Sequence, residues 1–358
     1  MKKVFVGLSG GVDSAVSAAL LKQQGFDVTG VFIKVWSPDF LPCTWRDERR
    51  DAMRVAAKLD IPFLFFDFAR EYKKGVVDLM IKEYEAGRTP NPDILCNREI
   101  KFGIFWEKAK EMGANFIATG HYAQIVESQK SKVLKEGKDK EKDQSYFLWT
   151  LTHEDLSHVL FPIGHLEKSE VRKLAKKFGI SVAEKKDSQG ICFLGDVDLE
   201  TFLPHFLKIK SGDVLNTRGE IIGLHKGAIY YTVGERHGFE ILKKDTNSKP
   251  FYVVSKSMEN NTITVSNNPI EINSHATREI KIKDINWITK PQRQDLWGRI
   301  RYRQKKFKVK VDGDKAIFSE PQTVASGQSI VFYACPNSKA GRDGEICLGG
   351  AIINKIKL

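Results

Sequence analysis

The first fourteen residues limit most strongly what this chain can fold into. Val4-Phe5-Val6-Gly7-Leu8 is a short β-prone run that passes directly into Ser9-Gly10-Gly11-Val12-Asp13-Ser14 and then into a helix-compatible stretch. A strand ending in such a loop at a helix start offers successive backbone N–H groups and the positive end of a helix dipole to an anion. Glycine there lets the backbone approach phosphate without a Cβ clash. An ordinary turn with a Ser or Asp cap is the alternative local reading. The loop's place after the first strand of an α/β sheet favours phosphate, because ligands settle beyond the carboxyl ends of such strands. No G-x-x-x-x-G-K-[ST] is present, so no Walker lysine reaches toward the terminal phosphates.

Further β-prone runs at 28–36, 63–68 and 115–119 alternate with helical stretches at 13–24, 46–59, 70–86 and 98–112, with Gly25 and Gly113 as C-terminal caps. That rhythm predicts a doubly wound parallel α/β sheet. Helices are expected again at 144–150, 153–160 and 167–178, whereas the Lys-, Glu- and Ser-rich stretch 127–143 reads as an exposed loop or mobile hairpin. Past residue 207 the pattern becomes short alternating segments, at 227–233, 251–255 and 261–265. A further boundary near 275 precedes strands at 280–288, 298–302, 307–311, 316–318, 329–333 and 346–353, which suggest a small barrel. The expected division is a nucleotide-binding α/β domain over 1–206, a small mainly-β central domain over 207–275 and a C-terminal β-barrel over 276–358.

With 358 residues, 41% hydrophobic and 28% charged, the chain is too large for one core and too apolar for disorder. A formal charge of +12 suits a polyanionic partner, since Lys and Arg that neutralise phosphates release condensed counterions, although solubility alone also explains it. The basic start Met1-Lys2-Lys3 is followed by too short an apolar run for a signal peptide. No run approaches the roughly 20 apolar residues of a membrane span, so a cytosolic protein is expected. Five cysteines without a C-x-x-C pair exclude a disulfide scaffold and argue against a closed zinc site.

Two of those cysteines have polar, Gly- or Pro-rich settings. In Thr89-Pro90-Asn91-Pro92-Asp93-Ile94-Leu95-Cys96-Asn97 the three-residue spacing aligns Asp93 with Cys96 on one face of a helix start. In Lys186-Asp187-Ser188-Gln189-Gly190-Ile191-Cys192-Phe193-Leu194-Gly195, Lys185 and Lys186 would favour a Cys192 thiolate. Burial as a small hydrophobe is the competing reading for each. Cys43, Cys335 and Cys347 lack such settings and read as structural.

Residues 9–14 match S-G-G-x-D-S, the PP-loop of ATP pyrophosphatases. That resemblance implies cleavage between the α and β phosphates of ATP, AMP transfer to a substrate, and magnesium near Asp13. Residues 7–14, Gly87 to Asn97, Ala118-Thr119-Gly120-His121-Tyr122-Ala123, Lys142-Asp143-Gln144-Ser145-Tyr146-Phe147-Leu148, 186–195, Arg301-Tyr302-Arg303-Gln304 and Gly327-Gln328 together resemble the bacterial tRNA-specific 2-thiouridylases, the MnmA family, over essentially the whole chain. The family implies an adenine nucleotide alpha hydrolase-like domain and sulfur delivery to C2 of the wobble uridine in the tRNA anticodon, after ATP adenylates its O2. By that likeness Cys192 carries the persulfide, Cys96 releases its sulfur, and a transient disulfide between them needs an external reductant. A sulfur-donor or relay protein is implied as well. Gly7, Leu8, Ser9, Gly10, Gly11, Val12, Asp13, Ser14, Ile33 and Gly120 fall where the family touches ATP. Asn91, Pro92 and Asp93 fall at the target base, with Asp93 suited to proton transfer. His121, Lys142, Asp143, Gln144, Arg301, Tyr302 and Gln328 fall at tRNA contacts.

Ala15 and Gln189 depart from the family's usual Ser and Thr. Glu235 and His237 stand where Gln and Lys are customary, which weakens a local phosphate contact. The stretch 335–345 is longer than usual. Two other readings keep the nucleotide loop: a PP-loop ligase acting on a small metabolite, and a non-catalytic tRNA-binding protein.

Overall fold

The computed structural model describes all residues except 42–43, 129–130, 187–197, 243–248, 275, 335–344 and 357–358. In chain order the N-terminal region supplies β1 (Lys3–Gly7), β2 (Asp27–Lys34), β3 (Phe63–Asp67), β4 (Phe116–Ala118), a hairpin of β5 (Ala123–Ser128) and β6 (Ser131–Glu136), and the two-residue β7 (Val159–Leu160). Five of these form a parallel sheet in the order β3-β2-β1-β4-β7. Alternation along β1 sends Val4 and Val6 into one core with Val16 and Val55, and Phe5 into another with Phe66 and Phe105. The sheet is therefore covered on both faces, as the alternating pattern predicts. Strand order reverses between β1 and β4, so the carboxyl ends of these two strands part to leave a crevice.

Helices stand close to the expected places, with two internal differences. The segment beginning at Ala69 contains a π-helical turn at Lys73–Val77, and the one beginning at Pro92 contains another at Asn97–Ile104, kinked at Gly103. Such turns insert a residue and reaim the side chains around them. Within 153–160 only Asp155–His158 is helical; Val159 and Leu160 instead pair with Ile117 and Ala118 to extend the sheet.

A hairpin over 123–136 takes up the first part of 127–143; Glu127, Ser131, Lys138, Lys140 and Glu141 are exposed as expected, but one face of β6 is not. Strand β6 adds to the C-terminal strand Ile346–Ile356, pairing Leu134 with Cys347, and buries Val133, Leu134 and Glu136. The Lys and Glu content hides a short apolar alternation that the partner strand covers.

The central domain holds β8 (Gly212–Leu215), β9 (Ile221–His225), β10 (Phe239–Ile241), β11 (Tyr252–Ser257) and β12 (Thr262–Ser266), ordered β10-β9-β8-β12-β11 over a core that includes Val214, Tyr231, Val253 and Ile263. The expected strand at 227–233 is a 3-10 turn at Ala228–Tyr230, because the Gly227 N–H bonds to His225 Nδ1 and folds the chain back. The last domain comprises β13 (Thr277–Trp287), β14 (Asp295–Arg299), β15 (Phe307–Asp312), β16 (Lys315–Gln322), β17 (Ser329–Tyr333) and β18 (Ile346–Ile356). These run β13-β16-β15-β14-β17-β18, and β18 pairs back onto β13, closing a six-stranded barrel.

Candidate active site

The loop after β1 and the turn after β4 meet at the crevice. Gly11 is the N-cap of the helix Val12–Gln23 and brings no side chain to its first N–H groups. Ser14 Oγ accepts from Ser9 N at 3.2 Å and donates to Gly11 O at 3.2 Å, so the loop's shape is held from within. Gly10 has φ +74°, and a Cβ on it would come within 2.5 Å of Glu48 O. A Cβ on Gly120 would lie 2.7 Å from Ser14 N. Both glycines permit close backbone approaches that any other residue would push apart.

A cavity of about 270 Å³ opens between these turns. Gly7, Leu8, Ser9, Asp13, Ser14, Ile33 and Gly120 line it; Gly10, Gly11 and Val12 belong to the same loop but are not among its lining residues. Cys96 lines the same cavity, so the thiol and the loop share one space despite lying far apart in sequence. His121 and Gln144 line it too. His121 is buried; burial, and then nearby Lys101, hold its pKa well below the usual imidazole range, so the ring is neutral, with Nδ1 2.7 Å from Thr119 Oγ1.

Two lysines absent from the sequence reading of this site reach the loop from later segments. Lys168 Nζ lies 2.8 Å from each Asp13 carboxylate oxygen, and the Tyr122 hydroxyl donates to Asp13 Oδ1 at 2.8 Å. Lys185 Nζ donates to Gly10 O at 3.1 Å and pairs with Asp51 at 2.8 Å, tying the loop to the helix Trp45–Lys58. Lys185 thus has a fixed task at the loop, distinct from the role expected for it beside Cys192. Cys192, Cys43 and Cys335 lie outside the described residues. Cys347 is buried in the seam between β18 and β6, and burial pushes its thiol pKa up, in keeping with a structural role.

The helix Pro92–Cys96 carries the half-buried Asp93 and Cys96, which is 2% exposed and packs into the core on one face of the sheet while also lining the cavity. Asn91 is its N-cap: Oδ1 accepts from Asp93 N at 3.2 Å and from Ile94 N at 3.3 Å, and Pro92 occupies the first turn. The approach to this helix is clamped by both later domains. Gln328 Nε2 donates to Thr89 O at 2.9 Å, Thr89 N donates to Ser326 O at 2.9 Å, and Thr89 Oγ1 lies 3.2 Å from Thr232 Oγ1.

Three family models cover the chain in order: a tRNA methyl transferase HUP domain over residues 2–196, a tRNA methyl transferase PRC-barrel domain over 200–267 and an aminomethyltransferase β-barrel domain over 277–353. The tRNA-specific 2-thiouridylase MnmA of Pseudomonas syringae pv. syringae is 44% identical over 369 residues, covering 99% of this chain and 94% of that protein. Its counterpart in Listeria monocytogenes serotype 4a is 40% identical over 365 residues, covering 99% and 95%. The chain belongs to the tRNA-specific 2-thiouridylase family. Among solved structures, a 4-thiouridine synthetase in complex with RNA and ATP is 20% identical, covering 55% of this chain and 46% of that one with a TM-score of 0.35.

Positions that the family resemblance assigns to RNA contacts divide here by burial. Arg301 is exposed and donates through Nη2 to Val233 O at 3.0 Å, bridging the barrel and the central domain. Tyr302 packs on Phe147 with ring centroids 4.7 Å apart, and Arg303 lies over its ring. Lys142 is half-buried. Asp143 is sealed: its oxygens accept from Gly137 N, Ser145 N and Ser145 Oγ, and Arg299 Nη1 lies 3.0 Å away. Glu235, where the family carries Gln, accepts from Thr232 N at 2.9 Å and sits near the half-buried Lys256, so the substituted side chain is used inside the turn. His237 contacts Arg236 beside it.

Proposed function

We propose that this chain is a tRNA sulfurtransferase that converts the wobble uridine of its substrate tRNAs to 2-thiouridine at the expense of ATP. The observation that carries this reading is that the PP-loop and Cys96 open onto one cavity at the sheet's switch point. A loop whose helix start has no side-chain cap suits the phosphates, and a cysteine lining the same cavity gives adenylation a purpose.

Uridine O2 attacks the α phosphorus, the bond to the bridging oxygen breaks, and its electron pair leaves on pyrophosphate. The O2–AMP group is then a good leaving group. A persulfide on Cys192 attacks C2 through its terminal sulfur and displaces AMP. Cys96 thiolate next attacks Cys192 Sγ, which leaves sulfur on the base and a Cys96–Cys192 disulfide for an external thiol reductant to reopen. Asp93, one turn before Cys96, serves proton transfer at the base, and Asn91 and Pro92 frame that base. His121, Lys142, Asp143, Gln144, Arg301, Tyr302 and Gln328 act in holding the RNA; for Asp143 this role is indirect, through the seam it stabilises. The neutral His121 ring supplies a hydrogen-bonding edge rather than a charge.

Among the described residues no trio of His, Cys, Asp or Glu is arranged to hold a metal. A single carboxylate at the phosphate site fits magnesium, which is commonly bound by one or two carboxylates together with substrate phosphates. Asp13, whose two oxygens meet Lys168 Nζ in this structure, would share its carboxylate with the ion, and the ion would neutralise charge on the phosphate oxygens. A sulfur-donor or relay protein and a cytoplasmic setting complete the proposal; among the described residues no helix is long and apolar enough to cross a membrane.

Mass spectrometry of nucleosides from tRNA incubated with the chain, ATP and a persulfide source tests this directly, with 2-thiouridine at the wobble position as the expected product. Cys96→Ser should yield none while still releasing pyrophosphate. Full thiolation by that variant would sink the cysteine mechanism, and pyrophosphate release that ignores unmodified tRNA would point to a small-metabolite ligase.

A further inference from the structure

The loop itself carries no lysine, yet its aspartate is gripped by one from 155 positions away. Lys168 opens the helix Lys168–Lys177, whose start is fixed by a capping box between Glu167 and Glu170 and by the Lys168 N–H donating to Asp139 Oδ2 at 3.0 Å. Val171 and Ala175 of that helix share a core with Val12, Val16 and Ala19 of the loop's own helix. The ammonium therefore arrives on a rigid element. Its side chain is 12% exposed against 30% for Asp13, so the pair is sealed on the lysine side and open on the cavity side. Tyr122 completes the grip and is itself fixed to the cavity wall: its N–H donates to Gln144 Oε1 at 3.0 Å and its carbonyl accepts from Gln144 N at 2.9 Å.

An anionic side chain in a phosphate-binding loop opposes the ligand unless something cancels its charge. At a separation of a few ångströms and partial burial, an unscreened carboxylate and a phosphate repel by about one to a few kcal/mol. A lysine bridging both carboxylate oxygens removes that repulsion and fixes the carboxylate plane.

We propose that Lys168 is the positioning residue of this nucleotide site: it holds and neutralises Asp13, so that preference for nucleotides bearing β and γ phosphates depends on it. The proposal rests on the ATP reading of the loop. A Walker lysine acts differently, reaching the β and γ phosphates directly from within its loop, whereas Lys168 acts on the loop's own carboxylate.

Isothermal titration of the full-length chain with magnesium ATP and, separately, with AMP tests it. Lys168→Met should weaken ATP binding about tenfold or more, equivalent to about 1.4 kcal/mol, and AMP binding less than about twofold. Asp13→Asn combined with Lys168→Met should bind ATP within about threefold of Asp13→Asn alone, because the Asp13 charge that the lysine cancels is then absent. An unchanged ATP-to-AMP ratio in Lys168→Met, equal losses for both nucleotides, or additive losses in the double variant would each overturn the proposal. Should Lys168→Met fail to fold, Lys168→Gln is read by the same ratio, with the same expected and overturning results. A native chain that binds no ATP would overturn the reading of the loop and this proposal with it; native binding with an unchanged ratio in the variant overturns the lysine's role alone.

Discussion

Two carboxylate–cation assemblies in this molecule are built from the same chemistry and come to opposite ends. At the cavity, Asp13 faces Lys168 and remains partly open to solvent. At the seam between the β5–β6 hairpin and the barrel, Glu136 and Asp143 are almost fully buried with Arg299 and Lys306: Arg299 lies 3.0 Å from Asp143 and 3.1 Å from Glu136, and Lys306 lies 2.9 Å from Glu136. Both cations also lie over the Tyr333 ring. Glu136 Oε1 is held there by charge rather than by a well-aligned hydrogen bond. Burial first, and then the neighbouring Glu136, pushes the Asp143 carboxyl above its ordinary range against the pull of Arg299 and two backbone N–H groups. The difference is one of closure. An assembly whose carboxylates are almost fully buried, reached from solvent only by the half-exposed Lys140 at Glu136, holds domains together, whereas one whose carboxylate opens onto a cavity can take a ligand.

Breaking the sealed assembly should have the largest effect. Arg299→Met leaves two buried carboxylates without their guanidinium and should cost about 3–5 kcal/mol in denaturant unfolding, while ATP affinity measured below the transition stays native. A variant that loses nucleotide affinity without losing stability would erase the distinction. Next comes the open side. Gly120→Ala places a Cβ within 2.7 Å of Ser14 N and must displace the loop, so ATP affinity should fall about tenfold or more for an overpacking cost of about 1–3 kcal/mol. Native affinity there would mean that the loop is not held by this turn. A smaller effect is expected at Asn91→Ala, which removes the N-cap of the cysteine helix at a cost of about 1 kcal/mol. Thiolation should slow while ATP binding is unchanged, and equal loss of both would show that the helix start also supports the nucleotide.

A last effect, read as a pH dependence, concerns the half-buried Lys256. Lys256 donates to Tyr231 O at 2.7 Å, and burial, only partly opposed by Glu235, lowers its pKa to about 8 from 10.5. A depressed lysine pKa contributes stability that is present above the unfolded value and is lost as pH falls through the folded one. The unfolding free energy of the native chain minus that of Lys256→Met should therefore rise between pH 8 and 10.5, by up to about 3 kcal/mol. A flat difference across that window would show that the Glu235 pairing outweighs burial, and that sealing is less decisive than the comparison holds.

Much of the fold was legible because its signals are local. The strand–loop–helix at the start, the alternation that makes a doubly wound sheet, and the later string of short strands each follow from nearby residues. The hairpin's burial was not, because Lys132 and Lys135 flank Val133 and Leu134, and only pairing with β18 reveals that the apolar residues have a cover. The π-helical turns at Lys73–Val77 and Asn97–Ile104 carry no compositional mark that separates them from ordinary helix. At the site, Ser9 to Ser14, Gly120 and Cys96 could be read from motifs, but Lys168 could not. A lone lysine at a helix start reads as a solvated charge until the fold brings that helix against the loop. Asp143 illustrates the converse, since a motif position suggested RNA while three-dimensional packing sealed the carboxylate.

The clamp on Thr89 has a practical meaning for anyone who would take this molecule apart. The chain entering the Cys96 helix is stitched to the barrel through Gln328 and Ser326 and lies against the central domain through Thr232. The two later domains are therefore not interchangeable handles on a self-sufficient catalytic sheet. They form part of the mounting of the thiol, and a shortened or grafted version would have to rebuild that joint before its chemistry could be aimed.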